Sequence, residues 1–475
     1  MATKRVTRRT VLGQTLGAAA AVFAAACSAP AASPASPTSP AKPAAATQPQ
    51  PASATTAAAP AASGGSPVTI RAHMVQKQDV SDWIKTAMDQ DIDGFKAKNP
   101  NINLQLELVP GFTTEFNPKI LSLAAGGQLG DVTWYAPRHH SQIGLGERYN
   151  VVRDLIPLAQ AANYDLKQQF YQGALDNNSF NGKQYFLSYI SEPIVPVIAY
   201  NKTKVQQMGL AAPTDDMTFD ELVAWAKKGT TAEVFGYFRG NSGNTPFSGL
   251  SYLRAWGVEP VDKAGKKATF LDAKDQFIAA LKYRQDLIKG VKVSPQPVTP
   301  DNTNEVFGGQ KLLAYDVWPF FIQILPETYK DKFEVDFVLA PTVKKGDKRR
   351  SGLNEHVFGV TTASKNPNEA FKVISWFGSK ELNVQGVIQG QKGPIARQDF
   401  WADKRVTDKF PVYKKLQPIM DSIEPDFTVA NFRGEEVDNA YAEVFDALEL
   451  GNTTPEDAAT QIQQLVQAVL DKDPA

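Results

Sequence analysis

Residue types that carry out catalysis are present in this chain, but they are scattered. The four histidines include the adjacent pair His139-His140, and adjacent side chains point in different directions in both helices and strands. The single cysteine, Cys27, excludes a disulfide framework and a cysteine-based zinc cluster. We therefore predict neither a metal site nor a cofactor.

Hydrolysis is the main enzymatic alternative. A glycosidase needs two carboxylates about 5–10 Å apart, and none of the 50 acidic residues lies in a recognisable motif of this kind. Gly240-Asn241-Ser242-Gly243-Asn244 is glycine-rich, but no Lys-Ser/Thr follows it, so it does not form a phosphate-binding loop. The chain has neither a Gly-x-Ser-x-Gly nor a His-Glu-x-x-His motif. We predict no catalytic residues, with an exported carbohydrate-active enzyme as the alternative.

The chemistry that remains is binding, and composition limits the partner. The chain has 475 residues, enough for two or three domains, and its 50 basic residues balance its 50 acidic ones. A net charge of zero gives no indication of nucleic acid as the main partner, so we predict no nucleic-acid partner.

The N-terminus has the pattern of an export signal. Four basic residues without an acid precede the apolar stretch Val11–Ala26, which is too short to span a bilayer as a helix. Thr7–Leu12 contains Arg8-Arg9 and resembles a twin-arginine signal. We predict an export signal over residues 1–26.

Cys27 follows Ala24-Ala25-Ala26, which resembles a bacterial lipobox with alanine where leucine is usual. The resemblance implies that Cys27 is lipidated and anchors the protein outside the cytoplasm to the cell membrane. The alternative is an ordinary signal that is cleaved nearby. Residues 27–67 are almost entirely Ala, Pro, Ser, Thr and Gly, a composition that predicts a disordered tether.

Hydrophobic periodicity begins at Val68. Strands are predicted at 68–74, 102–109 and 131–135, and helices at 83–98 and 116–125. This βαβαβ order predicts a mixed α/β domain with a largely parallel sheet.

A second α/β region starts near Tyr200 and includes a strand at 335–339. Helix caps are predicted at Thr218 (in a capping box with Glu221), Asp272, Asn366 and Thr454. The basic run Lys344–Arg350 is predicted to be a solvated hairpin turn.

Several segments in a fixed order resemble one protein family. They are Gly94–Ile102, Leu123–Val132, Asn181–Tyr185, Tyr200–Thr203, Met208–Leu210, Pro213–Leu222, Phe307–Leu312 and Ala363–Pro367. Together they resemble the family 1 extracellular solute-binding proteins of ABC importers, of the carbohydrate (maltose-binding-protein-like) type. The resemblance covers residues 68 to 470.

The resemblance implies a two-lobed periplasmic-binding-protein-like fold of type II, with interleaved lobes around a ligand cleft. Lobe one would comprise residues 68–190 and 360–405, and lobe two residues 195–357 and 410–475. The chain would cross between lobes at Tyr189–Val197 and Asn354–Val360. The family implies a monomer that captures a carbohydrate and delivers it to the transmembrane subunits of an ABC permease.

Sugars require aromatic faces for stacking and polar side chains for their hydroxyls. Trp134 and Tyr135 end a predicted strand, where open α/β sheets place ligands. By resemblance, Trp318 within Tyr315–Pro319 is the main stacking candidate. The remaining ligand-binding candidates are Arg138, Glu192, Gln76, Gln78, Asn354, Glu355, Phe432 and Arg433, and His356 lies beside them.

A non-sugar solute remains a third hypothesis. Arg138, Arg239 and Arg397 keep an anionic or phosphorylated ligand open, because the arginine fork matches phosphate and carboxylate.

Overall fold

The computed structural model describes residues 67–76, 82–111, 115–135, 141–194, 197–239, 252–295 and 300–472. The predicted export signal, Cys27 and the predicted tether lie outside these residues, as do Gln78, Arg138 and the His139-His140 pair.

The strands are named in chain order. They are β1 Val68–Val75, β2 Ile102–Val109, β3 Val132–Tyr135, β4 Ser179–Phe180, β5 Lys183–Gln184, β6 Leu187–Pro193, β7 Val197–Asn201, β8 Phe235–Phe238, β9 Leu312–Val317, β10 Val335–Leu339 and β11 Leu353–Val360.

The α-helices, whose bounds lie in the described residues, surround the sheets. They are α1 Asp82–Lys98, α2 Phe116–Ala125, α3 Gly144–Glu147, α4 Ile156–Ala161, α5 Leu166–Gln169, α6 Gln172–Asn177, α7 Lys202–Gln207, α8 Phe219–Gly229, α9 Lys274–Gln285, α10 Pro300–Gly308, α11 Leu325–Tyr329, α12 Pro367–Phe377, α13 Lys380–Ile388, α14 Gln398–Trp401, α15 Lys404–Lys409, α16 Val412–Met420, α17 Gly434–Ala440, α18 Ala442–Glu449 and α19 Pro455–Leu470. None of the helices in the described ranges is both long and apolar enough to cross a membrane.

The first sheet has the order β2-β1-β3-β11-β6. Strands β1, β2 and β3 are parallel, as the βαβαβ pattern predicts, and the predicted strand at 102–109 and helix at 116–125 are confirmed with those bounds. The alternation in β2 is confirmed only in its first half: Ile102 and Leu104 are buried while Asn103 and Gln105 are exposed, but Leu108 is 43% exposed and Val109 is buried instead. Strand β11 joins antiparallel to β3 and β6 and makes the sheet mixed.

The second sheet has the order β10-β7-β9-β8. Strand β7 is antiparallel to both of its neighbours, and β8 is parallel to β9. Strands β8, β9 and β10 therefore point the same way, and their carboxyl ends share the edge where β7 begins. Strand β7 follows directly after β6 of the first sheet, so that edge is also where the chain crosses between sheets.

Two of the four predicted helix caps form the expected side-chain hydrogen bond. Thr218 and Glu221 form the predicted capping box at the start of α8, and the Thr454 side chain accepts a hydrogen bond from the Asp457 amide at the start of α19. The prediction for Asp272 is wrong. This residue lies inside the 3₁₀ turn Phe270–Ala273, and α9 begins after Ala273 without a side-chain cap. At α12, Asn366 occupies the predicted cap position, but its side chain makes no cap hydrogen bond.

The basic run Lys344–Arg350 is only partly a solvated turn. Residues 344–348 are exposed, whereas Arg349 and Arg350 are half-buried. Arg349 donates from Nε to the Ala340 carbonyl at 2.8 Å, and Arg350 forms ion pairs with Glu424 and Glu259. The second half of the run is thus tied to the second sheet because backbone and carboxylate acceptors lie within reach.

Replacing Thr218 tests the contribution of the capping box. We expect Thr218→Ala to lower the free energy of unfolding by about 1 kcal/mol, since the Glu221 amide loses its acceptor. Thr218→Ser keeps a hydroxyl and serves as the control. Equal urea-unfolding midpoints for the alanine and serine variants would contradict the assignment.

Candidate functional site

Glu192 holds together the two crossing strands and the segment that follows β9. It is fully buried in β6, opposite Asn354 of β11. Its Oε1 accepts from Asn354 Nδ2 at 3.0 Å, and its Oε2 accepts from the Phe320 amide at 2.7 Å. Burial raises the pKa of Glu192 to about 8, although both hydrogen bonds oppose that shift.

Glu355 occupies a separate buried hydrogen-bond network on β11. Its Oε1 accepts from the hydroxyls of Ser188 and Ser191, at 2.6 and 2.7 Å. Its Oε2 accepts from the side-chain amides of Asn177 and Asn178, both at 2.7 Å. These partners are the last residue of α6, the residue after it, and two residues of β6. The network therefore fixes the position of β11 relative to β6 and α6. The carboxylate is 1% exposed, which places it away from solvent.

A third connection between the sheets comes from residues 424–426. The Asp426 amide donates to Asn177 Oδ1 at 3.0 Å, on the first-sheet side. On the second-sheet side, Arg254 donates to the Pro425 carbonyl at 3.0 Å and Arg350 pairs with Glu424. In the described part of the chain, residues 424–426 thus connect the two sheets in addition to the crossing segments that contain β6 and β11.

Trp134 and Tyr135 end β3, next to β11. The Trp134 ring packs edge-on against Phe116 at 5.0 Å and lies 5.5 Å from the His356 ring, and Trp134 is 2% exposed. Tyr135 is 4% exposed, and its hydroxyl accepts from Asn117 Nδ2 at 3.2 Å. Burial lowers the pKa of His356 to about 4, which keeps the imidazole neutral near pH 7. Both aromatics pack in the core of the first sheet in this conformation.

Trp318 is half-buried and follows β9 directly, at the edge where the chain crosses between sheets. Its carbonyl accepts from the Phe321 amide at 2.9 Å at the start of the 3₁₀ turn Pro319–Ile322. Because the Phe320 amide is bound by Glu192, the backbone that carries Trp318 is attached to the crossing strands.

Phe432 and Arg433 lie where the C-terminal part of the chain contacts the first sheet's helices. Phe432 is half-buried, packs edge-on against Phe180 at 5.3 Å and adopts a left-handed backbone with φ of 55°. A bulky residue in that conformation costs about 1–3 kcal/mol, and such strain concentrates at functional sites. Arg433 pairs with Glu436.

Gln76 directly follows β1, and its amide donates to the Val109 carbonyl at 2.8 Å. Since β1 and β3 are parallel, Gln76 shares the carboxyl-end edge with Tyr135. The structure thus gathers Tyr135, Glu192, Asn354 and His356 on three neighbouring strands, with Gln76 at the same edge.

The sequence-based candidates did not include Asp316 or indicate the cavity around it. Arg239, Asp316, Tyr237 and Tyr252 line a cavity of about 40 Å³ at the carboxyl ends of β8, β9 and β10. Tyr237 donates to Asp316 Oδ1 at 2.6 Å. The available signal was an acid inside the otherwise apolar, fully buried strand Leu312–Val317.

Comparison with protein families decides the identity of the chain. Residues 76–384, more than half of the sequence, match the model of the bacterial extracellular solute-binding proteins. The chain belongs to this family.

Solved structures agree with the fold of this solute-binding protein. An ABC substrate-binding protein from Listeria monocytogenes in complex with cycloalternan matches with a TM-score of 0.69 and 18% identity, covering 85% of this chain and 99% of that one. The GacH receptor of Streptomyces glaucescens, studied with acarbose, matches with a TM-score of 0.70 and 18% identity, covering 86% of this chain and 99% of that one. The maltose-bound MalE3 of T. maritima matches with a TM-score of 0.69 and 21% identity, covering 85% of this chain and 100% of that one. The fold is therefore the two-lobed α/β fold.

Replacing Glu192 tests its burial through the pH dependence of stability. A pKa raised from 4.5 to about 8 contributes stability that is fully present below about pH 4.5 and is lost as the pH rises through 8. Glu192→Gln keeps an oxygen acceptor without a charge. We expect this variant to gain stability relative to the native protein as the pH rises from 5 to 9, by at most about 1.4 kcal/mol per pH unit.

Urea unfolding at several pH values measures this difference. Glu233→Gln, at an exposed site before β8, removes a carboxylate elsewhere and is the control. A difference between Glu192→Gln and the native protein that is the same at every pH would show that Glu192 is not buried as described.

Proposed function

We propose that this chain is the substrate-binding lipoprotein of an ABC importer. It captures a carbohydrate, an oligosaccharide, between its two lobes and delivers it to the permease subunits as a monomer, without performing chemistry. Family membership supports the binding role. The observation that carries the proposal is the attachment of half-buried Trp318 to the crossing strands through the bond from the Phe320 amide to Glu192.

Lobe one comprises residues 68–190 and 360–405, and lobe two residues 195–357 and 410–475. In this division, β1, β2 and β3 of the first sheet fall in lobe one and the second sheet falls in lobe two, while β6 and β11 run into the crossing segments. Rotation about these segments opens and closes the cleft, and the ligand stabilises the closed arrangement.

The side chains have different roles in this proposal. Trp318 and Phe432 stack on sugar faces from the lobe-two side, since both are half-buried aromatics, Trp318 at the crossing edge and Phe432 beside Phe180. Gln76, Asn354 and Arg433 bind hydroxyls. Buried side chains hold this arrangement in place: Glu192, Glu355, Trp134 and Tyr135. Gln78 and Arg138 stay proposed ligand-binding residues from the sequence, and both lie outside the described residues.

The membrane and export assignments rest on the sequence. The twin-arginine-like signal over residues 1–26 directs export, and lipidated Cys27 anchors the protein to the outer face of the cell membrane. The segment up to residue 67 lets the lobes reach the permease.

Replacing Trp318 tests the site. We expect Trp318→Ala to bind a saccharide at least about tenfold more weakly, because a stacking face worth about 1.5–3 kcal/mol is removed. A thermal-shift screen against mono- and oligosaccharides identifies the ligand, and calorimetry then gives the affinities of both proteins.

Trp376→Ala is the matched control. Trp376 is also half-buried, but it packs against α1, where its indole donates to the Asp91 carbonyl at 2.7 Å. We expect this variant to lose stability and keep its affinity. Unchanged affinity in Trp318→Ala would contradict the site, and turnover of a labelled oligosaccharide by the native protein would contradict the binding role.

A further inference from the structure

The anionic-ligand hypothesis depended on three arginines, and the structure separates them. Arg138 lies outside the described residues. Arg397 is fully engaged in lobe one, where it pairs with Asp399 and donates to Tyr164 and Gln169. Arg239 alone among the described two lines a cavity at the cleft edge.

The guanidinium of Arg239 is held in one orientation but only partly bonded. It stacks over the Tyr252 ring, with 3.7 Å between the guanidinium carbon and the ring centroid. Its Nε lies 3.9 Å from Asp316 Oδ2, and the whole residue is 9% exposed. Among the described residues, neither Nη1 nor Nη2 has a hydrogen-bond partner. Burying a donor without a hydrogen-bond partner destabilises the folded protein by about 1–3 kcal/mol or more. An acceptor that binds the Nη1/Nη2 edge of Arg239 would remove this cost.

The other charged side chains around the cavity favour a negatively charged acceptor. Four basic side chains line it (Arg239, Lys348, Arg349 and Arg350) against two acidic ones (Asp316 and Asp347), and of the four Arg350 is already paired with Glu424 and Glu259. Asp316 is oriented by the Tyr237 hydroxyl and faces the Nε side of Arg239. Among the described residues, Arg349 donates to the backbone carbonyls of Ala340 and Asp215, and the carboxylates of Asp215 and Asp216 lie within electrostatic reach of it.

Position in the fold connects this cavity to the solute. Arg239 follows β8, and Ala340–Thr342 follow β10. Asp316 lies in β9, two residues before Trp318. These are the carboxyl ends of three strands that run in the same direction, where α/β sheets bind ligands. The cavity therefore adjoins the strand end that leads to Trp318, the proposed stacking residue.

We infer that the solute is an acidic saccharide, whose carboxylate binds the Nη1/Nη2 edge of Arg239. This inference rests on the proposed carbohydrate-binding function and specifies its substrate class. A planar carboxylate matches the two parallel donors of the fork. The cavity has room for about three water molecules, which admits a carboxyl group and excludes a sugar ring.

Matched pairs of saccharides test the inference on the native protein. Each pair has the same length and linkage, one member neutral and one carrying a uronic-acid unit, such as galactose and galacturonic-acid oligomers or xylo-oligosaccharides without and with glucuronic acid. We expect the acidic member of the recognised pair to bind about 100-fold more tightly, as two charge-assisted hydrogen bonds imply, and the preference to shrink at high salt.

Variants assign the preference to Arg239. Arg239→Gln should remove the preference, so that the acidic and the neutral member bind this variant with similar affinities. Arg239→Lys keeps the charge without the fork and should retain only part of the preference, which tests the inference even if the glutamine variant does not fold. Arg405→Gln is the control, since Arg405 is an exposed arginine of lobe one already paired with Glu381 and Asp403.

The outcomes separate the two proposals. Equal or tighter binding of neutral members would overturn the acidic-saccharide inference and leave the carbohydrate receptor standing. An acidic preference that survives in both Arg239 variants would overturn the assignment to this cavity. Absence of binding to either member of every pair would contradict both proposals.

Discussion

The structure depends on the antiparallel ladder between β6 and β11, because both strands lead from one sheet to the other. Two buried carboxylates lie on this ladder, Glu192 and Glu355, and each is satisfied only by partners from distant parts of the chain. Leaving a buried carboxylate without its partners costs more than a typical hydrogen bond contributes. The register of the two strands is therefore strongly determined, and with it the place where the sheets face each other.

The same ladder explains why the ligand candidates converge. Asn354 lies opposite Glu192, and β3 with Tyr135 pairs along the other side of β11. The second sheet meets this region through its own carboxyl ends, and Glu192 binds the backbone just after Trp318. In the proposed function, a site built across crossing segments changes shape when the lobes rotate, and this change couples solute binding to the form of the protein that the proposed permease encounters.

Much of the local structure is readable from the sequence. The strand from Ile102 to Val109 and the capping box at Thr218 are predicted with the right bounds, because short apolar patterns and cap hydrogen bonds are local properties. The face that Leu108 occupies is not predicted correctly, since that side chain is 43% exposed. Asp272 shows the limit of this reasoning: a cap residue type occurs before a helix, but a 3₁₀ turn moves the helix start. The two-lobed fold came from resemblance, since no periodicity reveals which distant strands pair.

Side-chain roles at the site are harder to predict for the same reason. Glu192 and Glu355 look alike in sequence, as acids on predicted crossing strands. Their partners lie more than a hundred residues away, and only the folded chain shows that one binds the Trp318 segment while the other stabilises β6 and α6. Arg239 and Arg397 likewise differ only in what surrounds them, a cavity in one case and Asp399, Tyr164 and Gln169 in the other.

The central claim is that a saccharide closes the two lobes about the crossing strands. The most direct measurement is the distance between spin labels at Ala125→Cys in lobe one and Glu233→Cys in lobe two, both exposed, in a Cys27→Ala background that removes the chain's only native cysteine. The account predicts that saturating saccharide shifts the distance distribution to a single altered state, with a midpoint at the calorimetric dissociation constant. Identical distributions with and without a bound saccharide would contradict it.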